Sequence, residues 1–183
     1  ASCHGTHSAI EAVLNIVNRE KLTIHDIKSI TIQTSQTVIN IAGKQAPKTG
    51  LEGKFSLYYC VANALLRGHT GIQAFTDEKV NEPEIKKFME KITVIPDPKI
   101  LHLEANVEVK TNSNTVFQGF SYILNEIPEL EIKKGKVQNK FMDLCAPVLG
   151  KNKSKEIMEA LLALEDLKNM KNLIERIHGV ASA

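Results

Sequence analysis

The fold of this chain is organised around one stretch, Lys54-Phe-Ser-Leu-Tyr-Tyr-Cys-Val-Ala-Asn-Ala-Leu-Leu-Arg-Gly68. Its apolar residues leave no wide polar face at the helical period, which is typical of a helix buried on several sides. Arg67 and Gly68 predict where this helix ends, because a cation favours the last turn and glycine adopts the left-handed cap.

The start of this helix is polar, with Lys54, Ser56, Tyr58 and Tyr59. Two interpretations follow. In the first, the helix is plain core and its tyrosine hydroxyls find backbone partners. In the second, these groups bind an anion, because the backbone amides at a helix N-terminus attract negative charge.

The composition excludes several classes of protein. The chain has 183 residues, of which 43% are hydrophobic and 24% charged, as is ordinary for a globular protein with a real core. A net charge of +2 is too small to predict binding to nucleic acid or to an anionic membrane. The densest basic run, Lys133, Lys134 and Lys136, has no aromatic residues between its lysines and is expected to be a solvated loop. No apolar run is long enough to span a bilayer.

The three cysteines, Cys3, Cys60 and Cys145, are scattered, and two of them lie in apolar helical patterns. They predict free thiols and a reducing, cytoplasmic location. The chain starts with Ala-Ser-Cys-His rather than Met, so we expect a processed start or a piece of a longer polypeptide.

The first part of the chain mixes helices with strands. Ser8-x-x-Glu11 predicts a capping box for a helix that ends near Arg19. A β-branched alternating run predicts a strand at 27–33, and residues 35–41 are expected to extend it or to form a second strand. Residues 43–53 read as a loop that leads into the central helix.

A hairpin follows later in the chain. Residues 103–109 alternate apolar and polar side chains, 111–114 form a turn, and 116–123 return as the partner strand. With a short strand at 92–95, this clustering predicts an α+β fold, with an antiparallel sheet and packed helices, over residues 1–124.

Residues 125–183 have a different composition and predict a linker followed by amphipathic helices from residue 138 onward. Gly150 and the Glu165-Asp166 corner separate three such helices. Short amphipathic helices do not bury their apolar faces alone, so we expect them to need a helical surface to pack on.

Cys3-His4-x-x-His7 has the look of a metal site, but structural zinc needs a second pair of ligands. The other histidines, His25, His69, His102 and His178, stand apart in the sequence. We therefore predict no metal. Motifs for phosphate, dinucleotide or acyl-enzyme chemistry are missing as well.

Two kinds of residue are nevertheless suited to chemistry. A histidine next to a helix N-terminus, as His7 is, can act as a general acid or base, because its pKa lies near working pH. A tyrosine with a lysine beside it, at the start of a second helix, can bind a carboxylate or polarise a leaving hydroxyl.

Five motifs carry a family resemblance. They are Cys3-x-x-Thr6-His7-x-Ala9-Ile10-x-Ala12, Pro47-x-Thr49 leading into Lys54-Phe55-Ser56-Leu57-x-Tyr59, Phe75-Thr76-Asp77-Glu78, Ala146-Pro147-Val148-Leu149-Gly150 and Leu164-Glu165-Asp166-Leu167. In this order and spacing they resemble the MmgE/PrpD family, which includes 2-methylcitrate dehydratases, cis-aconitate decarboxylases and related epimerases. The resemblance covers only the C-terminal part of that family.

The resemblance implies that residues 1–124 are a lid domain. In the family this domain caps a large N-terminal helical domain that supplies much of the active site, and the last helices return to pack on the helical domain. It also implies a homodimer, di- or tricarboxylate substrates, and no metal or organic cofactor.

The resemblance also implies roles for single residues. His7 matches the active-site histidine of the family and is the expected acid or base. Tyr59 matches the tyrosine of the Lys-Phe-Ser-Leu-x-Tyr motif and is expected to donate a hydrogen bond to substrate. Lys54 matches a basic position of that motif and is expected, with Ser56, to bind substrate.

The resemblance implies the C-terminal part of a lyase that dehydrates a citrate-like acid, inactive without the missing domain. Many relatives carry a Gly-His pair where this chain has Leu124-Asn125, so the substrate is open. A decarboxylase, an epimerase, and a stand-alone interaction module without catalysis remain as alternatives.

Overall fold

The chain folds as an α+β protein, as the sequence predicted. The structure is a computed structural model that describes residues 1–125 and 128–178. Two units divide the chain, Ala1–Ile127 and Pro128–Ala183, each with its own internal packing.

The first unit is built on a mixed sheet, which has four strands in the described residues. The strands are β1 (Ile27–Thr34), β2 (Ile92–Pro96), β3 (Glu104–Thr111) and β4 (Val116–Tyr122), in the order β2-β1-β3-β4. β1 pairs antiparallel with β3, and β3 with β4, but β1 pairs parallel with β2. The prediction of a purely antiparallel sheet was wrong for that one pair. Parallel neighbours need a long crossover connection, and the helical segment between β1 and β2 supplies it.

Helices cover one face of this sheet. They are α1 (His7–Glu20), α2 (Gln36–Ala42), α3 (Gly50–Gly53), α4 (Leu57–Arg67), α5 (Asp77–Asn81) and α6 (Pro83–Met89). α1 packs against β3 and β4, and α4 packs against α1 and α6. The sheet is buried on the helix side, where Ile30, Ile32 and Val107 are at most 2% exposed.

Two segments of the first unit differ from the sequence prediction. Residues 35–41, predicted as strand, form α2, because Ser35 adopts an extended cap conformation and accepts a hydrogen bond from Val38 N at 3.4 Å. The cap outweighs the strand preference of the β-branched residues that follow it. The predicted loop 43–53 contains α3, which Thr49 caps by accepting a hydrogen bond from Glu52 N at 3.2 Å.

The second unit is helical. It contains α7 (Leu130–Leu149), α8 (Lys151–Leu162), a 3-10 turn at Leu164–Asp166 and α9 (Met170–His178). Gly150 separates α7 from α8 at a positive φ of 80°. α7 starts earlier than the predicted residue 138, so Lys133, Lys134 and Lys136 lie in a helix and the loop prediction was wrong. Lysine and glutamate are good helix formers even without an apolar face. Among the described residues, every helix is too short or too polar to cross a membrane.

We expect residues 1–124 to stay folded when the rest of the chain is removed. The reason is that the buried apolar cluster of the first unit takes its members from residues 9–109. Near-UV circular dichroism and amide hydrogen exchange of the truncated chain should match those of the same residues in the whole chain. Loss of exchange protection in β3 on truncation would contradict this expectation.

Candidate active site

His7 lies where a short 3-10 turn, His4–Thr6, runs into α1. The Thr6 hydroxyl donates to the Cys3 carbonyl at 2.8 Å, which closes the turn. The imidazole of His7 is half-buried and stands edge-on to that of His4, with ring centroids 5.0 Å apart. The structure therefore places two imidazoles side by side at the start of a long helix.

The predicted capping box at the start of α1 was wrong. α1 begins at His7, with Thr6 in the cap position, and the described contacts give Thr6 no side-chain cap hydrogen bond. Ser8 lies inside the first turn and is 1% exposed. Its hydroxyl is bound to the backbone at the open end of the β3–β4 hairpin instead.

Lys54 follows directly after α3 and lies next to the segment that carries His7. Its carbonyl accepts a hydrogen bond from the Cys3 amide at 2.8 Å. Its ammonium lies 6.0 Å from the centroid of the Phe75 ring, a cation–π distance. The histidine motif and the lysine motif, about fifty residues apart in the sequence, thus meet through a backbone hydrogen bond.

Ser56 is fully buried and caps α4. Its hydroxyl accepts a hydrogen bond from Tyr59 N at 3.0 Å and donates one to the Lys44 carbonyl at 2.6 Å. Both contacts hold the start of α4 in place. Substrate binding by Ser56 stays a prediction, and it would have to compete with the Lys44 bond.

Tyr59 is also fully buried. Its hydroxyl donates to the Ala74 carbonyl and accepts a hydrogen bond from Arg67 Nη1 at 3.2 Å, and its ring stands edge-on to Phe75. Burial raises the pKa of Tyr59, although Arg67 opposes the shift. The hydroxyl therefore keeps its proton and shares it with the backbone, so donation to substrate stays a prediction that requires it to leave Ala74.

Arg67 connects the end of α4 to Tyr59 and to the segment of Lys79 and Glu82, a role that the sequence did not predict. Besides Tyr59, its guanidinium donates to Asn63 Oδ1 at 2.5 Å, to Glu82 Oε2 at 2.5 Å and to the Lys79 carbonyl at 3.1 Å. Lys79 and Arg67 both lower the pKa of Glu82 through their hydrogen bonds to its carboxylate. The sequence predicted Arg67 only as a cation in the last turn of α4, because its partner Glu82 lies in a separate segment.

The described residues contain no group of three or more His, Cys, Asp or Glu side chains that could hold a metal ion. His25, His69 and His102 are exposed and lie away from the His4–His7 pair in the sequence. The absence of a metal stays a prediction.

We expect Cys60 to resist alkylation in the native protein. Its side chain is buried, its thiol donates to the Gly53 carbonyl at 3.3 Å, and burial raises its pKa from 9.0 to about 11. That shift leaves about a hundredfold less thiolate than an ordinary cysteine at neutral pH. In native protein treated with iodoacetamide, mass spectrometry should find the half-buried Cys3 and Cys145 modified well before Cys60. In urea all three should react alike, and equal native rates would contradict the assignment.

The family model of the MmgE/PrpD C-terminal domain matches residues 1–166. That match spans both the segment with His7 and the segment with Lys54, and it confirms the resemblance predicted from the motifs. A search of curated proteins found no match.

Proposed function

Because the chain belongs to the MmgE/PrpD family, as its C-terminal domain, we propose that it forms one side of the active site of a lyase. The proposed reaction removes water from a citrate-like tricarboxylate such as 2-methylcitrate. The hydrogen bond from the Cys3 amide to the Lys54 carbonyl supports this proposal, because it joins the segment that carries His7 to the segment that carries Lys54.

His7 is the proposed acid or base. Dehydration breaks a C–H bond next to a carboxylate and a C–O bond, and forms a C=C bond, while the proton and the hydroxyl group leave as water. A half-buried imidazole at a helix N-terminus suits the proton transfer, since histidine exchanges protons near neutral pH.

Lys54 is the proposed anchor for a substrate carboxylate. It is half-buried, and its ammonium rests near the Phe75 ring rather than in an ion pair in the described contacts. Tyr59 and Ser56 are proposed to keep Lys54 in position by fixing the start of α4, which follows Lys54 in the chain. A direct hydrogen bond from Tyr59 to substrate is proposed only for a state in which its hydroxyl has left Ala74.

The proposed partners complete the site. They are an N-terminal helical domain, against which the apolar faces of α7–α9 would pack, and a second copy of the protein in a homodimer. Such packing is supported by large apolar side chains of α7–α9 that are 41–73% exposed, namely Leu144, Val148, Leu162 and Ile174. A cytoplasmic location is proposed from the free cysteines.

Decarboxylation or epimerisation of a related acid is the alternative chemistry, because it needs the same carboxylate anchor. Leu124-Asn125 stands where many relatives carry a Gly-His pair, so a related tricarboxylate is the alternative substrate to 2-methylcitrate. A module without catalysis is the alternative from another class.

The test uses this chain joined to an N-terminal helical domain of the family. We expect that polypeptide to release water from 2-methylcitrate or a related tricarboxylate, and the 183-residue chain alone to be inactive. Misplacing a reacting group by about 1 Å can lower the rate about a hundredfold. The 183-residue chain alone lacks the residues that the helical domain is proposed to contribute to the site. Release of CO2 from cis-aconitate without dehydration would favour the decarboxylase. Inactivity of the joined polypeptide toward all these acids would favour the non-catalytic module, and turnover by the chain alone would overturn the two-domain site.

A further inference from the structure

We propose that Ser8 is a positioning residue that fixes the first turn of α1 and, through it, the imidazole of His7; this inference rests on the proposed function for His7. Ser8 is 1% exposed and follows His7 directly in the chain. No motif singled it out except as a helix cap, which it is not. Its hydroxyl instead ties α1 to the sheet.

The Ser8 hydroxyl bridges two backbone groups at the open end of the β3–β4 hairpin. It donates to the carbonyl of Leu103, directly before β3, and accepts from the amide of Ile123, directly after β4, at 3.2 Å. Within the hairpin, Glu104 pairs with Tyr122, so Leu103 and Ile123 would be the next pair in the same register. The Ser8 hydroxyl therefore takes the place of a direct backbone hydrogen bond between Leu103 and Ile123, and it links the end of the hairpin to α1.

The backbone of Leu103 adds a second observation. Its φ is 67°, in the left-handed region that a leucine rarely adopts, because its Cβ crowds the backbone there. Such a conformation persists only where neighbouring contacts hold it, and it turns the carbonyl so that it meets Ser8. The strained residue and the buried hydroxyl are thus parts of one junction.

This junction bears on His7 because both residues lie in the first turn of α1. Before His7 in the chain, the hydrogen bond from the Cys3 amide to the Lys54 carbonyl holds the segment in place. After His7, the hydrogen bonds of the Ser8 hydroxyl do so. The edge-on pair of His4 and His7 stands between these two points of attachment. Loss of the Ser8 hydroxyl would leave the Ile123 amide without this acceptor and free the first turn to shift, so the His7 ring would move relative to Lys54.

The test is a histidine-ring NMR spectrum of the whole 183-residue chain with the Ser8→Ala substitution. We expect the ring signals of His7 and His4 to move clearly more than those of the exposed His25 and His69. Ser154→Ala is the matched control. Ser154 is also a fully buried helix serine whose hydroxyl donates to a backbone carbonyl, that of Gly150 at 2.8 Å, but it lies in the second unit. This control should leave the His7 signals in place.

A folded Ser8→Ala chain whose His7 signals move no more than those of His25 would overturn the inference. If Ser8→Ala does not fold, Ser8→Cys decides in its place, because cysteine has the shape of serine with a somewhat larger sulfur atom that is only a weak hydrogen-bond donor. Displaced His7 signals then support the inference, and unchanged signals overturn it.

The proposed lyase gives a second readout. In the polypeptide joined to a helical domain, Ser8→Ala should lower kcat by about a hundredfold with little change in KM, the expected cost of a misplaced reacting group. An unchanged kcat would overturn the positioning role. Because the NMR readout needs no turnover, an inactive polypeptide with displaced His7 signals would refute the proposed function while leaving the Ser8 junction supported.

Discussion

Replacing His7 by glutamine in the polypeptide joined to a helical domain is expected to lower kcat for dehydration by about a hundredfold to ten-thousandfold. General acid–base catalysis by a placed side chain is worth about that much. Glutamine keeps polarity and approximate size but cannot take up a proton near neutral pH. The rate of double-bond formation from 2-methylcitrate, followed by ultraviolet absorbance, measures the effect, and the limb of the pH profile that belongs to an imidazole should vanish.

His25→Gln is the matched control, because His25 is exposed and lies in a turn before β1. It should leave kcat and KM unchanged. The more searching comparison is His4→Gln, since the His4 ring lies 5.0 Å from that of His7 and stands on the same segment. If His4→Gln abolished turnover and His7→Gln did not, the acid or base would be His4.

The central helix was the easiest element to predict, because its signals are local. Gly68 ends α4 at a φ of 69° and donates its amide to the Ala64 carbonyl at 3.0 Å, as the Arg-Gly sequence predicted. The alternating residues of β3 and the turn after it likewise predicted the hairpin. In these elements the preference for helix, strand or turn comes from residues that are close together in the chain, so the sequence alone is enough to predict them.

The parallel β1–β2 pair shows where local signals end. Nothing in residues 92–96 indicates which strand they will pair with, because the partner depends on how the helices that connect β1 to β2 along the chain pack against the sheet. The same holds for α2, whose β-branched residues suit a strand until the cap at Ser35 is counted. Non-local packing and a single cap decided these two elements.

The candidate site was predictable in part. The motifs located the segments of His7 and Lys54, and the structure joins these segments through the Cys3 amide. The interpretation of α4 as a plain core helix predicted that a tyrosine hydroxyl would bind the backbone, as Tyr59 does with the Ala74 carbonyl. The family motifs alone did not predict this for Tyr59 or Ser56, since a resemblance marks positions and not the direction of side chains. The Ser8 bridge was equally hidden, because its partners lie 95 and 115 residues away in the sequence.

Gly50→Ala is expected to lower the free energy of unfolding of the first unit by about 3 kcal/mol or more. A variant that does not fold would agree with this expectation. A Cβ built on Gly50 would lie 2.0 Å from the Phe75 carbonyl oxygen and 2.6 Å from its carbonyl carbon. These neighbours are backbone atoms, so rotation of a side chain cannot relieve the overlap. The Gly50 amide also donates to Asp77 Oδ1 at 2.7 Å, and separating the two segments would lengthen that bond. Urea unfolding followed by circular dichroism measures the loss.

Gly135→Ala in α7 is the matched control for the same added methyl group. Apart from its chain neighbours and the backbone of its own helix, no atom of the described residues lies within 4 Å of a Cβ at Gly135, so alanine should be neutral or stabilise its helix by up to about 1 kcal/mol. Because α3 leads directly to Lys54, and Phe75 contacts both Lys54 and Tyr59, the Gly50 contact also sets where the proposed carboxylate anchor lies. A folded Gly50→Ala chain should therefore show a displaced Phe75 ring in its aromatic NMR spectrum. Unchanged stability with an unchanged Phe75 signal would mean that α3 does not rest against the Phe75 backbone.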